Sequence, residues 1–165
     1  MDGEAHGAVV YDSKADPFTN DGLFSKVRGK ENIALIATTS DGDVFGGFYS
    51  TQVTNQSQSF IDPNIFAFSF ESHGRCETPR RFAVKEGLKQ NAVVYFYKNQ
   101  GRGFVAFWVS DVGGFYLGNQ SSNSCCSNMS NGFEGIQDTT LTGKTGTNDV
   151  PYHYCTRIVA VQLSN

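Results

Sequence analysis

The sequence predicts a mainly β protein of the α+β kind, in which two antiparallel sheets pack face to face as a β-sandwich with one or two peripheral helices. The chain of 165 residues contains 14 Phe and 18 Gly but only 4 Pro, a composition that suits half-buried strands joined by tight turns. The segment IFAFSFES (65–72) alternates phenylalanine with other residues at a period of two. An Asp-Gly pair at 41–42 separates two apolar runs, which is typical of a β-hairpin.

Strands are predicted where apolar or alternating runs are bounded by turn residues. The predicted strands are 8–13, 31–39, 43–51, 65–72, 91–99, 103–110, 113–119 and 152–165. Asn20 or Asp21 can cap a short helix that buries Phe24 and Val27, which are three residues apart.

The strand at 65–72 carries Phe66, Phe68 and Phe70 on one face. We expect the two sheets to bury such phenylalanine-rich faces between them. The polar segments 54–64, 73–87 and 120–132 are predicted connections.

The chain is short enough for one domain with one core. Residues 1–7 are expected to be a disordered end or an expression remnant, and residues 8–165 to form a single domain. No repeat or linker divides this range.

The glycine-rich segment SDGDVFGGFYS admits three interpretations: a phosphate loop, an acidic metal loop or a corner between strands. A phosphate loop leads from a strand into a helix, whereas Gly46 and Gly47 lie beside Phe45 within the predicted returning strand. The later oxygen ligands of a calcium loop do not follow. Asp41 and Gly42 suit the central positions of a type I′ turn. The pattern therefore favours a structural hairpin, whose paired glycines allow close packing or a bulge.

The charge balance disfavours a dedicated nucleic-acid-binding protein. The formal net charge is −3 and the pI is about 5.5, whereas such proteins usually carry a basic excess that neutralises phosphates. No run of about 18 apolar residues occurs, so no membrane insertion is expected. The opening MDGEAHG lacks the basic and apolar regions of a secretory signal. The cytoplasm is the expected location, with the nucleus as the alternative.

The vicinal pair Cys125-Cys126 is the candidate redox site. A sensing thiol needs exposure and a lowered pKa. The surrounding loop is polar and expected to be exposed, but it contains no Lys or Arg between residues 120 and 132. Ordinary thiols are therefore the favoured interpretation, with peroxide sensing as the alternative.

No metal, cofactor or catalytic residue is predicted. His73 and Cys76 form one pair of potential zinc ligands, and His153 and Cys155 form another. Neither spacing matches a standard zinc knuckle, and adjacent cysteines rarely chelate one ion.

A basic stretch within fifteen residues is a candidate binding patch. It consists of Arg75, Arg80, Arg81, Lys85 and Lys89. Acidic residues dilute it, so a solvated face is the favoured interpretation. The alternatives are an acidic protein partner and nucleic-acid phosphates.

The order of these pieces resembles a known family. The passages that carry the resemblance are VVYDSKADPFTNDGLFSKVRGK, IALIATTSDGDVFGGFYS, DPNIFAFSF and VGGFYLGNQSSNSCCSNMSNGFEG, followed by the closing CTRIVAVQL. Together they are similar to the TLDc domain, the module of the oxidation-resistance proteins and of the TBC- and LysM-associated proteins. The closing strand lacks the usual acidic residue and only one vicinal cysteine can match the family's, which marks a divergent member.

The resemblance implies a function without established catalysis. It implies protection against oxidative damage, and some members interact with the peripheral sector of the vacuolar proton-pumping ATPase. The sequence is therefore interpreted as a non-enzymatic TLDc module that acts in the oxidative-stress response through protein binding, with that pump as the suggested partner. The alternatives are a stress-linked regulator that binds nucleic acid through the basic stretch, and a thiol-dependent antioxidant. The oligomeric state is left open.

Overall fold

The structure is a computed structural model that describes residues 6–98, 103–119, 125–143 and 154–164. These ranges form eleven strands, two α-helices and one 3-10 helix. In chain order the elements are β1 (His6–Asp12), α1 (Asn20–Val27), β2 (Ile33–Thr39), β3 (Val44–Tyr49), β4 (Ser59–Ile61), β5 (Phe66–Glu71), β6 (Arg80–Ala83), the 3-10 helix (Glu86–Asn91), β7 (Ala92–Phe96), β8 (Val105–Val109), β9 (Gly113–Leu117), β10 (Cys125–Ser127), α2 (Met129–Gly132) and β11 (Cys155–Ser164).

The strands form two antiparallel sheets, which confirms the predicted β-sandwich. The first sheet has the order β1-β11-β2-β3-β5-β6, and the second has the order β10-β9-β8-β7-β4. Strand β1 begins earlier than predicted, because His6 and Gly7 pair with Ser164 and Leu163 of β11. The segments 73–87 and 120–132, predicted as irregular connections, contain β6 and β10 respectively.

Helix α1 packs against β1 of the first sheet, and its Phe24 ring contacts the Phe96 ring of β7 in the second. Its N-cap is Thr19 rather than Asn20 or Asp21, because the Thr19 Oγ1 accepts a hydrogen bond from the Gly22 N–H at 3.0 Å. The helix buries Phe24 and Val27, as predicted. Every helix within the described ranges is too short to cross a lipid bilayer.

The core lies between the sheets and is rich in aromatic rings. Phe45 of β3 meets Phe115 of β9 edge to face, with ring centroids 5.9 Å apart. Phe115 also stacks on Phe107 of β8 at 5.1 Å. All three side chains are fully buried. Such ring pairs contribute beyond the area that they bury.

The expectation that Phe66, Phe68 and Phe70 face the core is wrong. The inward residues of β5 are Ala67 and Ser69, both fully inaccessible to solvent, while Phe70 is 48% exposed. Small side chains suffice at these inward positions because aromatic rings of the second sheet fill the core. A period of two fixes which residues share a face, but it does not fix which face is buried.

An ion-paired clamp joins the edge strand β1 to β11. The Arg157 Nε donates to Asp12 Oδ1 at 3.1 Å, and the Arg157 Nη2 donates to Asp12 Oδ2 at 2.6 Å. This bidentate contact lowers the pKa of Asp12 to about 2 and raises that of Arg157.

The clamp predicts a specific acid sensitivity. Because the pKa of Asp12 is lower in the folded chain than its ordinary 3.8, its stabilising effect is present above about pH 4 and is lost as the pH falls towards 2. We expect Asp12→Asn to lower the urea midpoint at neutral pH. Between about pH 4 and 2 the midpoint of this variant should fall less steeply with pH than the midpoint of the native chain. Urea unfolding across this range measures both effects. Glu77→Gln, which alters an exposed carboxylate outside the clamp, is the control, and identical pH profiles for Asp12→Asn and the native chain would contradict the assignment.

Candidate binding surface

The predicted hairpin residues form a turn of a different type. The Thr39 N–H donates to the Asp43 carbonyl at 2.9 Å, and the Gly42 N–H donates to the Thr39 carbonyl at 3.0 Å. The loop therefore has three residues, and Gly42 adopts a φ of +86° while Asp41 does not enter the left-handed region. A type I′ turn would need positive φ at both central residues, so the geometry fits a three-residue loop closed by glycine.

Gly46 and Gly47 lie within β3, where backbone and ring approach too closely for a side chain. A Cβ on Gly46 would lie 1.8 Å from the Leu35 carbonyl oxygen and 2.7 Å from Phe68. A Cβ on Gly47 would lie 2.8 Å from the Phe107 ring. No helix follows these glycines, so the backbone amides do not form a phosphate cradle.

A buried carboxylate next to the turn joins two loops. The Asp43 Oδ1 accepts hydrogen bonds from the Arg75 Nη2 at 2.5 Å and from the His73 Nδ1 at 2.7 Å, and the Asp43 side chain is almost fully buried. Arg75 also donates to the carbonyls of Thr140 and Leu141, at 3.0 Å each. The sequence pattern suggests Asp43 only as a potential metal ligand and gives no sign of this role, because its partners lie about thirty residues away along the chain.

The structure divides the predicted basic patch. Arg75 points into the cluster with Asp43, and Lys89 forms an ion pair with Glu86 at 2.9 Å. Arg80 and Arg81 lie on β6, and neither forms an ion pair with a described residue.

Lys85 follows β6, and its N–H donates to the Gly132 carbonyl at 2.9 Å. Since Arg75 and Lys89 are already engaged with carboxylates, the five cations do not form one unpaired surface. Arg80, Arg81 and Lys85 are the members whose charges remain without an acidic partner among the described residues.

The candidate redox pair lies on β10 rather than in an exposed loop. Cys126 is buried, with 1% of its surface accessible, and the side chain of Cys125 lies outside the described residues. Burial limits access of peroxide to Cys126. Cys76 is partly exposed and its thiol lies 3.5 Å from the Ser72 Oγ.

The His–Cys pairs that the sequence offers as potential zinc ligands belong to no metal-binding group in the described ranges. No three His, Cys, Asp or Glu side chains there lie close enough to hold a metal ion. His73 is hydrogen-bonded to Asp43, Cys155 is buried, and His153 lies outside the described residues.

The most distinctive surface is an apolar groove on the outer face of the first sheet, which we call the outer groove. Its volume is about 380 Å³. Its central lining residues are Ile36, Phe48, Phe66, Phe68, Phe70 and Val161, with Arg80 and Arg81 beside them.

The phenylalanine rings of the outer groove pack against each other. Phe48 and Phe66 are cross-strand partners whose rings stack at 4.8 Å. The Phe66 and Phe68 centroids are 6.4 Å apart, and the Phe68 and Phe70 centroids are 5.0 Å apart. Because Gly46 has no side chain, Phe68 can lie across β3 next to it. The sequence alternation predicts this row of rings, but the prediction that it faces the core is wrong.

The guanidinium of Arg81 lies over the Phe66 ring, 4.2 Å from the centroid. This cation–π contact holds the charge at the edge of the apolar surface. A concave apolar surface with a few placed charged groups is a typical binding site. The arrangement can therefore bind an apolar group that carries a negative charge beside it.

Comparison with known proteins supports the resemblance noted above. The family model for the TLDc domain matches residues 5–148. No curated protein sequence matches the chain.

Proposed function

We propose, since the chain belongs to the TLDc domain family, that it is a binding module of the oxidative-stress response, which acts in the cytoplasm by docking to a protein rather than by catalysis. Family membership supports the general role. The observation that supports docking is the outer groove, whose apolar lining includes Phe70, which is 48% exposed, and the partly exposed Phe48 and Phe66, while Phe68 is 7% exposed between them. Exposed apolar surfaces of this kind typically mark interaction sites.

The partner that we propose is the peripheral sector of the vacuolar proton-pumping ATPase. Its support is the family resemblance. The apolar groove is compatible with docking to a large protein assembly, since aromatic residues are enriched where such interfaces carry most of their binding energy.

The proposed partner can be tested with the full chain as bait. We expect the immobilised chain to recover pump subunits from cytosol, and to bind the purified peripheral sector directly in a two-component titration. An unrelated β-sandwich of similar net charge is the control bait. An affinity of about 100 μM is weaker than that of typical specific interfaces. If the purified sector does not bind at concentrations up to this value, the pump is not the partner.

A further inference from the structure

The outer face of the first sheet is apolar across most of its width. Val9 on β1 is paired with Val161 on β11, so both side chains lie on this face, and Val9 is 64% exposed. Antiparallel sheets that face water usually carry polar residues on that side. An apolar sheet face is normally covered by another element.

The second sheet does not share this property. Its outer face carries Tyr95, Tyr97, Trp108 and Tyr116, together with Ser59 and Ser110. Hydroxyl and indole N–H groups allow such rings to lie in contact with water. Phenylalanine has no polar atom, so the rings of the outer groove gain more from being covered.

The charges beside the outer groove indicate the chemistry of the occupant. Arg81 flanks it, with its guanidinium over the Phe66 ring, whereas the guanidinium of Arg80 lies over the buried ring of Phe82. Arg81 has no carboxylate partner among the described residues. No Asp or Glu is among the described residues that line this groove or the adjoining cavity, which contains Lys89. The surface therefore complements an apolar group with acidic neighbours, and Arg can bind a carboxylate in a bidentate manner.

We propose that the outer groove binds an amphipathic helix of a partner protein, with apolar side chains on one face and acidic residues along one flank. This deepens the proposed function and rests on it, because it assigns the docking surface of the same module and the chemistry of its partner.

The dimensions of the ring row fit a helix. Phe66 to Phe70 span four residues of strand, about 13 Å at 3.3–3.4 Å per residue. Side chains at positions i, i+4 and i+8 of a helix span about 12 Å. Three successive apolar side chains on one helix face therefore match the spacing of the ring row, in which Phe70 is the most exposed ring. An amphipathic helix bound in an apolar groove is a recurring recognition mode.

A second copy of the chain is a poorer occupant. A two-fold stack of outer grooves would bring Arg81 of both copies into one interface, without a carboxylate from the described lining residues. Buried charges without partners are strongly destabilising. A separate acidic helix avoids this cost.

The inference can be tested by selecting displayed random peptides of about 16 residues, enough for four helical turns, against the purified chain. We expect the selected peptides to carry apolar residues at helical spacing together with Asp or Glu. Their affinity, measured by fluorescence anisotropy, should fall at least about tenfold in Arg81→Glu and in Phe70→Gln. Replacing the peptide's acids by lysine should restore binding to Arg81→Glu.

Matched controls on the second sheet separate the groove from general effects of charge and hydrophobicity. Lys98→Glu changes an exposed cation after β7, and Ile61→Gln changes an exposed apolar residue of β4. Neither should change the affinity.

Three results would overturn the inference. The first is that the selected peptides bind Arg81→Glu and Phe70→Gln with the same affinity as the native chain. The second is that the chain forms a dimer that Phe70→Gln dissociates. The third is that no peptide is selected and the groove binds anionic phospholipid vesicles instead. If Phe70→Gln recovers pump subunits normally, the groove assignment fails while the proposed function stands. If groove-dependent peptides are selected but the peripheral sector does not bind, the groove stands and the proposed pump partner fails.

Discussion

Replacing Gly46 by alanine is expected to destabilise the chain by at least about 3 kcal/mol and to prevent stable folding if its total stability is at the low end of the usual range. The added Cβ would lie 1.8 Å from the Leu35 carbonyl oxygen on the adjacent strand. Backbone cannot move aside as a flexible side chain can, so β2 and β3 would have to separate in the middle of the first sheet. The same Cβ would also displace the Phe68 ring.

Urea unfolding followed by the fluorescence of Trp108, the single tryptophan, measures the Gly46→Ala effect. Gly87→Ala is the matched control, because its Cβ would meet nothing within 4 Å and its φ is not in the left-handed region. The control should change the free energy of unfolding by no more than about 0.5 kcal/mol. A Gly46→Ala midpoint equal to that of Gly87→Ala would show that the strands can separate without cost.

Replacing Asp62 by alanine is expected to cost about 3–5 kcal/mol. Its buried carboxylate accepts from the N–H groups of Ser50 at 2.5 Å, Thr51 at 3.1 Å and Asn64 at 3.0 Å, and from the Ser50 hydroxyl at 2.9 Å. These bonds connect the end of β3 to the turn between β4 and β5. Without the carboxylate, these backbone donors would lose a partner that is itself almost fully buried, at a site that water reaches only in part.

Asp62→Asn distinguishes the hydrogen bonds from packing. Each oxygen of Asp62 accepts from two donors, so an amide nitrogen in either place would face donors instead of accepting from them. We expect Asp62→Asn to lower the free energy of unfolding by at least half as much as Asp62→Ala does, although Asn has the same size as Asp. Asp21→Ala, an exposed acid with a hydrogen bond from Gln56, should cost no more than about 1 kcal/mol. Native-like stability of Asp62→Asn would contradict the hydrogen-bonding account.

Much of the fold could be predicted because strand signals are local. The alternation at 65–72 and the Asp-Gly pair at 41–42 each concern a few consecutive residues, and both mark real elements. The prediction of a type I′ turn was wrong because turn type depends on how the flanking strands pair. Here Thr39 pairs with Asp43 across a loop of three residues.

The candidate site could be predicted only in part, because its residues come from distant segments. Arg81 lies over Phe66 across the pairing of β5 with β6, and Val161 reaches the same surface from the end of the chain. Nothing in the local pattern distinguishes Arg81 from Arg75, although of the two only Arg75 pairs with a carboxylate among the described residues. Asp62, in a segment that was predicted as a polar connection, shows no local sign of its burial.

The sequence by itself determined the strands, their periodicity, the hairpin glycines and the family, since each depends on residue types at short spacing. Only the tertiary structure decided which face of β5 is buried and which cations, within the described part of the chain, have no carboxylate partner. The physical reason is that burial and ion pairing depend on what the opposing sheet and distant loops supply. Here the second sheet fills the core with its own rings, and the phenylalanines of β5 are left on the outer surface.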